Sequence, residues 1–207
     1  MADTFEAARM KRAKVLRLAL VALAVFGAAA VLYVIASSGF KPKGAANLND
    51  LARGSLQKMV VAKTPVPAPA TGFTDAAGKP MTVADFRGQV VVLNLWATWC
   101  GPCKEEMPTL AKLQAVYATQ PVKVVALSVD REKDYAAADQ FIAAHGPLTL
   151  YRDPGYKFAF GMTPAAEGFP TTVIYDRKGM ERARLSGGAD WSSPEARELV
   201  ERLLKEG

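Results

Sequence analysis

The chain has 207 residues, half of them hydrophobic, and a formal net charge of +6. That length suits one domain with a sizeable core plus a targeting segment, and no basic run interleaved with aromatics points to nucleic acid. Two cysteines and one histidine are too few for an all-Cys/His zinc site, which needs four ligands.

Residues 1–17 carry Arg9, Lys11, Arg12, Lys14 and Arg17 against Asp3 and Glu6. Residues 18–36, Leu18 to Ala36, carry no charge. At helical rise they span roughly 30 Å, enough for a bilayer core. The expectation is a cytoplasmic N-terminus over 1–17 and a transmembrane anchor over 18–36, set by the positive-inside rule, with the remainder extracytoplasmic. A cleaved signal peptide competes, because Ala28-Ala29-Ala30 offers small residues, but Val31 to Ile35 continues the apolar run past them. Residues 37–46 are small, Gly-bearing and basic, which reads as a tether. Residues 47–207 are then a folded domain with an N-terminal extension.

In that domain, Asn49 or Asp50 caps a short helix carrying Leu51, Leu56 and Met59. Pro65, Pro67 and Pro69 impose extended backbone. Phe73 to Thr82 reads as a hairpin turning at Gly78, and Val83 to Phe86 as one helical turn. Val90 to Leu95 and Val122 to Val129 are nearly continuous apolar runs, the pattern of buried parallel strands. A helix follows the first, with Met107, Leu110, Leu113 and Val116 or Tyr117 on one stripe. Further along come a helix from Tyr135 to Ala144 capped by His145-Gly146, and a strand from Leu148 to Tyr151. Thr171 to Tyr175 and Ala183 to Ser186 are strands joined by the turn Asp176-Arg177-Lys178-Gly179. Ser193 and Pro194 open the last helix as N-cap and first residue. The class is α/β.

The chemistry lies in Trp96-Ala97-Thr98-Trp99-Cys100-Gly101-Pro102-Cys103-Lys104-Glu105-Glu106-Met107-Pro108, where a strand hands over to a helix. A helix N-terminus offers unpaired N–H groups and the positive end of the macrodipole, which lower the pKa of a thiol placed there. Cys103 sits three residues on, within reach of a disulfide with Cys100. In this reading Cys100 attacks a substrate disulfide and Cys103 resolves the mixed disulfide. An inert structural disulfide competes, though so small a loop constrains the unfolded chain little. Gly101 and Pro102 fit the helix start. Glu106, one turn beyond Cys103, is a candidate acid/base for the resolving thiol's proton; the alternative is a solvated carboxylate like Glu105. Of the two flanking tryptophans, Trp99 is assigned to the site and Trp96 to the core.

The string from Gly88 to Pro108 resembles membrane-anchored thioredoxin-like proteins of the TlpA/ResA type. The resemblance runs from about Phe73 to the C-terminus. It takes in Asp75 to Pro80, Asp85-Phe86-Arg87-Gly88, Gly168-Phe169-Pro170-Thr171-Thr172 and Asp190-Trp191. It implies a thioredoxin fold, a central mixed sheet with helices on both faces, and a protein-disulfide reductase using Cys100 and Cys103 as its redox pair. It implies that Pro170 is a cis proline facing the disulfide, and that Phe169 and Pro170, with Trp99, Gly101 and Pro102, bind the substrate peptide. It also implies clients: apocytochrome c thiols before haem attachment, or copper-delivery and oxidase-subunit cysteines, with electrons from a membrane thiol-transfer protein. No cofactor or metal is called for. Asn94 departs from cytosolic thioredoxins, which bury a titrating aspartate there, and this shifts the weight of proton handling to Glu106. Two rival functions remain. A peroxiredoxin-like peroxidase needs threonine three residues before its cysteine, where this chain has Ala97; the other rival is a redox-inactive module that only holds partner peptides.

Overall fold

The structure, a computed structural model, describes residues 47–206. The expected N-terminus, anchor and tether lie outside the described residues. Among the described residues no helix is long and apolar enough to cross a membrane.

Among the described residues eight strands form one sheet: β1 (Val60–Pro67), β2 (Phe73–Asp75), β3 (Pro80–Met81), β4 (Val90–Trp96), β5 (Val122–Ser128), β6 (Thr149–Arg152), β7 (Thr171–Tyr175) and β8 (Met180–Ser186). Their order across the sheet is β1-β8-β7-β4-β5-β6-β2-β3. β4 pairs in parallel with β5, and β5 with β6, while the other pairings are antiparallel. The sheet is therefore mixed, with the two apolar runs at its centre as the sequence suggests. Every residue of β4 and β7 is buried, so both faces there are covered. Among the described residues four α-helices accompany it: α1 (Gly101–Val116), α2 (Tyr135–Ala143), α3 (Lys157–Gly161) and α4 (Pro194–Glu206).

Several local readings are sharpened by the structure. Residues 49–59 form two single 3-10 turns rather than one helix, and Leu48, Leu51 and Leu56 are fully buried. Arg202 of α4 clasps Asp50, and Glu195 accepts the Ser55 N–H. Pro65 and Pro67 are not merely in extended backbone: they lie in edge strand β1, paired with β8, with its register shifting between Val61 and Val66, and Pro69 follows just beyond it. Proline survives there because an edge strand has one side with no ladder to serve, and β3 at the other edge likewise begins with Pro80. α3 carries no long periodic pattern and is absent from the sequence reading. On α1, Met107, Leu110, Leu113 and Tyr117 are buried, whereas Val116 is exposed. The Asp75 carboxylate accepts the Ala77 and Lys79 N–H groups, and Gly78 takes a left-handed φ of 85°, which closes the β2–β3 turn. His145 lies just past α2 with Nδ1 2.7 Å from the Phe141 carbonyl, so its capping role is local. Arg182 of β8 pairs with Asp176 and with Glu206 of α4, fixing the last helix to the sheet.

Candidate active site

The site is built where β4 ends. Asp130, just beyond β5, is buried, and its carboxylate accepts the Thr98 N–H at 3.0 and 3.1 Å. It also accepts the Thr98 hydroxyl at 2.8 Å and the Ser128 hydroxyl at 2.9 Å. The Val129 N–H donates to the Trp96 carbonyl at 2.9 Å. The loop Ala97-Thr98-Trp99 is thereby fastened to the neighbouring strand, and Cys100 is delivered to a fixed place. Asp130→Ala would strand the Thr98 N–H in a half-buried position, at a cost of about 1–3 kcal/mol. The expected outcome is a lower urea midpoint and faster hydrogen exchange at Thr98. An unchanged midpoint would show that the loop holds without it.

Cys100 is the N-cap residue of α1, and its Sγ accepts the Cys103 N–H at 3.3 Å. The two cysteines are joined in a disulfide with their Cα atoms 5.3 Å apart. Gly101 and Pro102 fill the first helical positions between them, where a missing N–H costs nothing. Cys100 retains 6% exposure and Cys103 none, so the outer sulfur is that of Cys100.

Glu106 is not a solvated carboxylate. It is 3% exposed, while Glu105 beside it is exposed. Asn94 Nδ2 donates to Glu106 Oε1 at 2.7 Å; the Ala189 N–H and Trp191 Nε1–H donate to Oε2 at 3.0 and 3.2 Å. Burial pushes its carboxyl up from 4.5 to about 7, against the pull of those three donors. Asn94 also donates to Thr172 Oγ1 at 2.9 Å, while its own Oδ1 is buried and has no hydrogen-bond partner among the described residues. Pro108 interrupts the α1 ladder, and Thr109 beside it donates to the Glu106 carbonyl and accepts the Trp191 N–H at 3.0 Å. Glu106 and Thr109 thus clamp the 189–191 segment to the helix.

Trp99 is exposed and meets Phe169 edge-on, with ring centroids 6.0 Å apart. Phe169 and Pro170 are joined by a cis peptide bond, and the Pro170 carbonyl accepts the Gly187 N–H. Trp96 is fully buried against Phe141 of α2 and belongs to the core. The structure therefore gathers Trp99, Cys100, Gly101, Pro102, Cys103, Glu106 and Phe169-Pro170 at one end of the central strands. The sequence reading gave Asp130, Thr172, Ala189 and Trp191 no role at the site. A buried tryptophan N–H needing an acceptor was the one available signal.

Comparison with known proteins agrees with this layout. Residues 63–200, more than half of the chain, match the redoxin family. The thiol-disulfide oxidoreductase ResA of Geobacillus thermodenitrificans is 32% identical over 123 residues, covering 58% of this chain and 67% of that protein. ResA of Bacillus thuringiensis subsp. konkukian is 30% identical over 152 residues, covering 72% and 79%. A crystal structure from Chlorobium tepidum described as a thiol:disulfide interchange protein, DsbE, superposes with a TM-score of 0.56 at 27% identity. It covers 70% of this chain and 96% of its own. With a thioredoxin-like sheet, a Cys-Gly-Pro-Cys disulfide at a helix start and relatives of this kind, the chain belongs to the redoxin family and, within it, to the ResA-like thiol-disulfide oxidoreductases.

Proposed function

We propose that this oxidoreductase is anchored by residues 18–36, faces the extracytoplasmic side, and reduces disulfides of particular client proteins there. Its clients are apocytochrome c cysteines before haem attachment, or cysteines of copper-delivery and oxidase subunits. A membrane thiol-transfer protein returns electrons to it. The observation that carries this reading is the disulfide at the start of α1 with Glu106 buried one turn behind it. The likeness to ResA proteins supports it, as does an apolar stretch long enough for a bilayer behind a basic N-terminus. Anchoring keeps the thiols near membrane-bound clients and raises their effective concentration.

In the reduced form, the Cys103 N–H and the α1 dipole favour thiolate at Cys100. That thiolate attacks one sulfur of the client disulfide, and the other client sulfur leaves as thiolate. Cys103 then gives up its proton and displaces the client, closing the Cys100–Cys103 bond. Both client sulfurs end as thiols: two electrons come from the dithiol, one proton comes from Cys103, and the other comes from solvent, which took up the Cys100 proton when its thiolate formed. Glu106, with a pKa near neutrality, is suited to take the Cys103 proton and pass it on. Protonated, its hydroxyl would face N–H donors on both edges of the carboxyl. Turning the Asn94 amide over would present the unpartnered Oδ1 as acceptor instead. Trp99, Phe169 and Pro170 form the wall along which the client peptide lies.

Two experiments test the wider reading. Carbonate-washed membranes should retain the full-length chain; a soluble form beginning near Val31 would show a cleaved signal instead. A Cys103→Ser chain expressed in cells should trap an apocytochrome c or a copper-delivery or oxidase subunit as a mixed disulfide. Adducts lacking both classes would overturn the client assignment.

A further inference from the structure

The wall beside the disulfide does not end at Phe169. Tyr156 stacks on Phe169 with ring centroids 6.0 Å apart, and Phe160 follows Tyr156 at 5.7 Å. With the 6.0 Å Trp99–Phe169 contact, four rings form a ladder leading from the disulfide loop onto α3. Its two ends are the most open, Trp99 at 60% exposure and Phe160 at 66%.

The ladder is held in place by its backbone. Gly155 and Tyr156 both take left-handed conformations, φ 84° and 62°, and Tyr156 is the one described non-glycine residue with positive φ. Asp153, 1% exposed, accepts the Phe158 and Ala159 N–H groups at 3.0 Å each, anchoring the first turn of α3. Phe158 and Ala159 point into the core, Tyr156 is half-buried against it, and Phe160 is left facing outward. Backbone held in a sparsely populated region, over a short helix whose fourth residue is an open phenylalanine, marks a surface built for contact.

We propose that this ladder binds the client polypeptide itself, in extended form, and selects clients with a large apolar or aromatic side chain near the reacting cysteine. The ladder is continuous with the disulfide, where a client sulfur must sit during exchange, so the same chain that reacts at Cys100 is the one within reach of Phe160. An extended chain at about 3.3 Å per residue covers the three ring-to-ring steps in roughly five residues. The preferred side chain therefore lies about five residues from the client cysteine. This rests on the reading of Cys100 as the attacking thiol.

The test uses the full-length reduced chain in detergent and two cyclic Cys-x-x-Cys disulfide peptides. One carries phenylalanine five residues out from the cysteine pair on both sides; the other carries serine at those places. The readout is the ratio of their second-order reduction rates, so a general loss of activity cancels. Wild type should favour the phenylalanine peptide. Phe160→Ser should lower that ratio by roughly five- to tenfold, about the worth of one aromatic contact. Tyr156→Gly, which suits the left-handed backbone, should lower it similarly. Equal rates for the two peptides in wild type, or an unchanged ratio in both variants, would overturn the ladder while leaving the thiol chemistry intact. A wild-type chain that reduces neither peptide overturns the Cys100 reading, and this one with it.

Discussion

Cys100→Ser is expected to bring the reduction of a protein disulfide to background, whereas Cys103→Ser should keep the first step and lose the second. The two sulfurs differ in what surrounds them. Cys100 caps α1, accepts the Cys103 N–H and keeps some exposure, while Cys103 is closed off from solvent. A client sulfur can approach only the outer one, and only the outer one has a helix start to stabilise its thiolate. Without Cys103 the mixed disulfide at Cys100 has no internal thiol to displace the client, so adducts should accumulate on non-reducing gels. Insulin reduction reads the first effect. Alkylation at graded pH reads the order of reactivity, and Cys103 alkylating ahead of Cys100 would reverse the assignment.

What the sequence made legible follows from how local each signal is. Val90 to Leu95 and Val122 to Val129 announce themselves as buried strands because nearly every position is apolar, Asn94, Lys123 and Ser128 apart, and they are the parallel pair at the sheet's centre. The strand-to-helix position of Cys100 is equally local, and so is the Ser193 cap, which accepts the Ala196 N–H. The environment of Glu106 is not local. Its partners Asn94, Ala189 and Trp191 come from β4 and from a loop more than 80 residues downstream, and helical spacing alone left burial and solvation equally open. β1 was hidden because prolines argue against strands in general, and only its place at the edge, knowable from the assembled sheet, relieves that objection. α3 was hidden because it is one short turn organised by a buried aspartate rather than by apolar periodicity.

Glu106→Gln is expected to change both how stability depends on pH and how fast the thiols exchange. The carboxyl is raised from 4.5 to about 7, chiefly by burial, so the native state binds this proton more tightly than the unfolded chain does. The sign follows: the stabilisation is fully present below about pH 4.5 and is lost as pH rises through about 7. At about 1.4 kcal/mol per pH unit, the wild-type chain gives up roughly 3 kcal/mol across that window. Glutamine does not titrate and should lack this slope. A constant offset should accompany the change: the carboxamide oxygen can serve the Ala189 and Trp191 N–H groups, but its NH2 then faces Asn94, whose amide must turn over to accept it and so leaves its own NH2 where Oδ1 had no partner. The slope is therefore the diagnostic quantity, read from urea unfolding of both oxidised chains at several pH values between about 4 and 8. For exchange, loss of the proton acceptor near Cys103 should slow closure of the protein disulfide by roughly ten- to a hundredfold, the low end of general acid–base effects, and should alter the pH dependence of both thiols. Glu105→Gln, on the exposed side of the same turn, supplies the comparison. Parallel stability profiles for wild type and Glu106→Gln, with matching exchange rates in the two glutamine variants, would reduce Glu106 to a packing residue. A flattened profile with slowed closure in Glu106→Gln alone would identify it as the proton carrier of the pair.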